Sequence, residues 1–75
     1  MNLNMYEDKV KKMLDRIRKR REDLSYSQEY MAMRLNITQK GYSKIELNVV
    51  KLTADRLCDI CGILDIDIAD MVHGK

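Results

Sequence analysis

Cys58-Asp59-Ile60-Cys61 is the first pattern in the chain that could carry chemistry. Two thiols three residues apart suit a zinc site or a reversible disulfide. Zinc takes four ligands, however, and His73 is the one further nitrogen or sulfur ligand of that kind in the sequence. A redox pair usually opens a helix beside a β-α-β unit. Here Leu57, Ile60, Cys61 and Leu64 recur at i, i+3, i+4 and i+7, which puts the motif inside a helix with Cys61 on its apolar face. Both cysteines are expected to be structural and His73 to be solvated, with no metal and no cofactor. Catalysis has as little support. The sequence holds no Gly-rich phosphate loop and no Ser/His/acid or Cys/His arrangement, and 75 helix-forming residues leave little room for a substrate cleft. An enzyme is not expected.

The second pattern spans Gln28 to Leu47. Met31, Leu35, Ile37, Tyr42 and Ile45 are apolar and Ala32 is small. Two short helices crossing at about 90–120° over a tight turn need this spacing. The small residue lets the helices approach. The turn needs a residue that tolerates a left-handed backbone, and Asn36 is the best substitute for glycine there. Gln39, Lys40 and Lys44 are left as hydrogen-bond donors off the apolar face.

These residues need elements to hold them, and the sequence predicts five helices. Asn4 with Glu7 resembles a capping box, after which Tyr6, Val10, Met13, Ile17 and Leu24 give an amphipathic helix over about 5–24, skipping a slot at Arg20/Arg21. Ser27, Thr38, Thr53 and Asp67 are candidate caps for four more helices, the last two ending near Leu64 and Val72. The alternation from Ile63 to Ile68 could suggest a strand, but a lone strand has no partner, so a helix end, a turn and a helix start are expected. The fold class is all-α: a compact bundle of five helices, residues 1–75 forming a single domain.

Composition agrees. The chain has no proline, 3 glycines and 35% charged residues, a helix-rich balance. No apolar run approaches a membrane span, and Met1 to Tyr6 lack the pattern of a signal peptide, so a cytoplasmic protein is expected. Net charge is +2. Twelve Lys/Arg face seven Asp/Glu up to Lys51, and two face five beyond it. One basic and one acidic end suit orientation on a polyanion, or simply ordinary solvated charge. The run Arg16, Arg18, Lys19, Arg20, Arg21 reads equally as a solvated helix face and as a phosphate-binding one.

Leu24 to Ala32, then Leu35 to Gln39, then Tyr42 to Glu46 resemble the lambda-repressor/Cro-type helix-turn-helix family. The likeness continues through Leu57, Ile60, Leu64, Ile66, Ile68 and Met71, and covers about residues 14–72. It implies a DNA-binding unit at 28–47. Gln39, Lys40, Ser43 and Lys44 match positions that reach base edges, and Gln28 and Thr38 positions near phosphate, with Gln28 also bracing the recognition helix. Glutamine suits adenine and lysine suits guanine acceptors, which agrees. Arg21 and Glu46 match an ion pair that holds the recognition helix at its angle; the rival reading is two unpaired surface charges. Three features depart from the family. Asn48 replaces glycine and no proline follows it, which leaves Val49 and Val50 as candidate partner contacts and Lys51 as a phosphate contact. Arg20 replaces an apolar residue, so its stem is expected to cover core and its head to meet solvent or phosphate. Gly41 interrupts the recognition helix, through drift or to let the backbone approach DNA.

The function implied is a transcription regulator of the repressor kind, acting on double-stranded DNA. A domain this small reads few base pairs, so a homodimer on a palindromic operator is expected, with half-sites ~34 Å apart. Ile66, Ile68 and Met71 are candidates for the dimer surface, unless they close the monomer core. Two alternatives stand beside it: an antitoxin that binds a toxin and autoregulates its operon, and a protein-interaction module that does not bind DNA.

Overall fold

The computed structural model describes residues 3–74, apart from the side chains of Leu3, Asn4 and Tyr6. The order is α1 (Leu3–Asp23), α2 (Gln28–Leu35), α3 (Gln39–Glu46), α4 (Ala54–Leu64) and α5 (Ile68–His73). Helix α1 already includes Asn4; the expected capping box and the apolar position at Tyr6 lie outside the described residues. Among the described residues there is no strand, and no helix is long and apolar enough to cross a membrane.

The other four helices start where a side chain caps them. Ser27 Oγ accepts from the Tyr30 amide at 2.9 Å, Thr38 Oγ1 from Gly41 at 3.0 Å, and Thr53 Oγ1 from Arg56 at 3.2 Å. Asp67 Oδ1 accepts from Ala69 at 2.8 Å and Asp70 at 3.3 Å. Each cap satisfies amide donors that have no partner inside the helix, and contributes about 1 kcal/mol.

The first four helices end alike. Ser25, Asn36, Asn48 and Asp65 take φ between 55° and 60°. In each case the next residue's amide reaches five positions back: Tyr26 to Arg21, Ile37 to Ala32, Val49 to Lys44 and Ile66 to Cys61, all at 2.9 Å. This left-handed closure satisfies free carbonyls without glycine. Three connectors then follow one formula, a left-handed polar residue, an apolar residue and a cap: Ser25-Tyr26-Ser27, Asn36-Ile37-Thr38 and Asp65-Ile66-Asp67. The last resolves the Ile63–Ile68 alternation into a turn between helices.

The core draws on all five helices, with Tyr42, Ile17, Met31, Ile60, Leu64 and Met71 fully enclosed. On α1 the buried line is Leu14, Ile17 and Arg21, with Val10 and Met13, and Leu24 just past its end, partly buried along it. Leu14 thus takes the place expected of Met13, a difference of one residue or about 100° of helix. Cys61 is buried, as its spacing predicts, and Cys58 is exposed. Burial raises the Cys61 thiol above its ordinary value.

Two expectations need correction. Met71 is no dimer surface: it is 1% exposed and closes the monomer core, with half-buried Ile66 packed against that core. Ile68, at 40%, is exposed. The Arg20 head does not simply meet solvent or phosphate: the fold engages it. Its Nε donates to the Leu64 carbonyl at 2.9 Å, closing the end of α4, where a cation also meets the negative end of the helix dipole. Arg16 does the same for α5, donating to the Asp70 carbonyl at 2.8 Å.

Met71→Ala is expected to lower stability by ~2–5 kcal/mol, the usual cost of emptying a core site, measured from the urea midpoint. Oligomeric state in sedimentation should not change; a shift toward monomer would return Met71 to an interface.

Candidate nucleic-acid interface

The candidate site is built from Glu46 outward. Glu46 is the last residue of α3, and its side chain is 4% exposed. Arg21 of α1 grips it with two bonds, Nε to Oε2 at 2.7 Å and Nη2 to Oε1 at 3.1 Å. Gln28, first residue of α2, donates from Nε2 to Oε1 at 3.2 Å. Tyr42, one turn back on α3, donates its hydroxyl to Oε2. Arg21 also donates from Nη1 to the Tyr26 carbonyl at 2.9 Å, in the α1–α2 connector. One carboxylate therefore joins three helices, and through Arg21 the connector as well.

The electrostatics follow. Burial works to raise the Glu46 carboxyl, but hydrogen bonds from Arg21, Tyr42 and Gln28 and the Arg21 charge outweigh it, so the group is held below its ordinary value. Arg21 is raised, first by its hydrogen bond to Glu46. Burial, then the bond to Glu46, pushes the Tyr42 hydroxyl far up, so it stays a donor. The ion pair is thus formed and buried rather than being two surface charges.

This brace sets the outer face of α3. Gln39, Lys40 and Lys44 are exposed and Ser43 is half-buried. With Gln28 they line one surface depression, which Leu47 and Val49 complete. Thr38 stands at the N-terminal end of α3 as its cap. Gly41 has a local reason: a methyl there would stand 3.1 Å from Thr38 Oγ1, the oxygen its own amide binds. Asn48 takes the left-handed turn expected of it. Lys51 is exposed but lines a different depression, with Glu7, Val10, Asn48 and Leu52. Arg20 and Ile66 lie away from this face, in a hollow with Arg16, Lys19 and Asp23.

Two features escaped the sequence reading. Tyr42 counts there only as core, yet its hydroxyl serves Glu46; the i, i+4 spacing to an acid was the signal. Leu47 joins the outer face beside Val49, which was expected only as a partner contact; the signal was the spacing Lys40, Ser43, Lys44, Leu47 at i, i+3, i+4 and i+7. Among the described residues no group of His, Cys, Asp and Glu could hold a metal ion.

The chain matches the helix-turn-helix family over residues 17–71. Neither the curated proteins nor the solved structures contain a match to it.

Breaking the brace from one side is expected to cost ~3–5 kcal/mol, since it strands a buried charge. Arg21→Met and Glu46→Gln should therefore each destabilise strongly and the pair together by much less than the sum, with a coupling of ~1–3 kcal/mol in a double-mutant cycle. Additive losses would mean that the two side chains do not act as a unit. The pH dependence has a definite sign. The Glu46 contribution is complete above the unfolded carboxylate value, about 4.3, and is lost as pH falls through the lower folded value. Stability should fall more steeply on acidification in the wild type than in Arg21→Met/Glu46→Gln, measured by urea unfolding at each pH.

Proposed function

We propose, on the premise that this chain belongs to the lambda-repressor/Cro-type helix-turn-helix family and is a DNA-binding transcription regulator of that type, that it represses by occupying a palindromic operator as a homodimer. The observation that carries this reading is the polar stripe on α3, exposed and held at a fixed angle by the buried Arg21–Glu46–Gln28 cluster. In this reading α3 lies in the major groove with Gln39, Lys40, Ser43 and Lys44 toward base edges. Glutamine offers adenine a donor and an acceptor together, and lysine donates to the O6 and N7 of guanine. Thr38 and Gln28 stand at the N-terminal ends of α3 and α2, where backbone amides and helix dipoles favour a phosphate. Lys51 adds a third phosphate contact from the α3–α4 connector. Occupying the operator excludes other proteins from it, so repression needs no further activity.

Each domain reads only a few base pairs, so two copies on half-sites ~34 Å apart supply the remaining discrimination. With Met71 in the core, Ile68 on α5 is the exposed apolar residue left of the expected dimer surface.

Binding to an operator chosen by random-site selection should weaken with salt, with a slope of about −0.9 per phosphate neutralised. Gln39→Ala and Lys44→Ala should each relax preference at one base position, whereas Lys51→Ala should weaken all sequences alike and lower the salt slope by about one per protomer. A flat salt response would instead favour a module for protein contact. Sedimentation of the protein with its operator should give two protomers per site; one protomer per site contradicts the homodimer.

A further inference from the structure

We infer that Leu47, flanked by Val49, is a specificity-determining residue that reads a thymine by packing against its C5-methyl group. The inference rests on the proposed reading of α3 as the helix in the major groove.

Three observations support it. The first is exposure. Leu47 and Val49 are 69% and 65% exposed, and of the exposed large apolar residues these two line the same depression as the polar residues of α3. The second is placement. Lys40, Ser43 and Lys44 form one stripe of α3 that its C-cap residue Leu47 continues, and Leu47 and Val49 line the same depression as Gln39 and Lys44. The third is contrast with the other connectors. The apolar residue after each left-handed turn packs on the core at Tyr26, Ile37 and Ile66. At Val49 the same turn, with the same backbone closure, leaves the side chain in solvent on the α3 face.

The chemistry of the groove identifies the occupant. Its floor is a pattern of donors and acceptors with one apolar feature, the thymine methyl. A leucine on the reading stripe has no hydrogen bond to offer and fits that feature alone. Leu47 lies seven residues beyond Lys40, roughly 10 Å along the helix axis. That corresponds to about three base-pair steps. The thymine is therefore a different base from those read by Gln39 and Lys40, toward the end of the half-site where α3 leaves the groove.

The test replaces thymine by deoxyuridine, one position at a time, in the selected operator, and measures binding by wild type and Leu47→Ala. Leu47 is exposed, so the variant is expected to fold, with its circular dichroism and urea midpoint as checks. Wild type should lose about fourfold at one thymine per half-site, the factor given by ~0.8 kcal/mol for one buried carbon group. Leu47→Ala should bind the thymine operator more weakly and be indifferent to uracil at that position. Equal wild-type binding to every uracil operator, or a selected operator without thymine there, overturns the proposal while Gln39→Ala still alters base preference. If Leu47→Ala changes the oligomeric state and leaves uracil sensitivity intact, the patch is a contact between copies of the chain, and the proposal fails. If Gln39→Ala, Lys44→Ala and Leu47→Ala all leave base preference unchanged, it is the placement of α3 in the groove that fails, and the inference with it.

Discussion

The structure depends on one buried carboxylate. Glu46 accepts from Arg21, Gln28 and Tyr42, which belong to α1, α2 and α3. A charge this enclosed costs several kcal/mol in lost hydration, recovered only when geometry and hydrogen bonds are both good. Here both oxygens are engaged and the guanidinium binds them side by side. Lysine could not do this: its point charge offers no planar fork, and it could not also hold the Tyr26 carbonyl while gripping both oxygens. The cluster contributes orientation more than net stability. An apolar replacement could fill the same space, leaving buried Tyr42 and Ile45 alone to set how far α3 is rotated about its axis. That rotation decides which side chains look outward, and so the stripe from Gln39 to Lys44 depends on Glu46.

The basic run on α1 completes the same scheme. Arg16, Arg20 and Arg21 each meet the end of another element: α5 through the Asp70 carbonyl, α4 through Leu64, and the α1–α2 connector through Tyr26. Helix ends carry carbonyls without intrahelical partners, and in a chain of this size two such ends and one connector come within reach of one helix. The remaining cations of the run, Arg18 and Lys19, pair loosely with Asp15 and Asp23 on the surface, where such pairs add little. In sequence this cluster is indistinguishable from a phosphate-binding patch. In the fold three of its members, Arg16, Arg20 and Arg21, fasten other elements to α1.

Much of this was legible in the residues. Caps at Ser27, Thr38, Thr53 and Asp67, with left-handed polar residues at Asn36 and Asn48, mark helix boundaries because each solves a local problem that any helix end has. The failures all concern rotation. Leu14, the fully buried residue beside the partly buried Met13, differs from it by one residue, which moves a side chain about 100° around the axis. Met71 and Ile68 are both apolar and three apart on a helix too short to show a face, so only packing distinguishes the buried one from the exposed one. The Arg21–Glu46 pairing came from family resemblance, because nothing local to either residue identifies a partner 25 positions away.

Engaging these arginines in contacts with the protein itself also bears on how it can meet DNA. Long-range attraction to a polyanion scales with the cations that reach its phosphates, and so does affinity for the wrong sequence. With a net charge of +2 and the arginines of α1 engaged within the fold or with neighbouring acids, the proposed interface retains only Lys40, Lys44 and Lys51 as cations. On that proposal non-specific binding is weak, and the margin over competing sites comes from short-range contacts that depend on sequence. In the proposed interface, the amides and hydroxyls of α3 and the exposed leucine that caps its end are contacts of that kind. They have no reach, so they matter only if α3 is held at the right angle before it arrives, which is what the buried carboxylate provides.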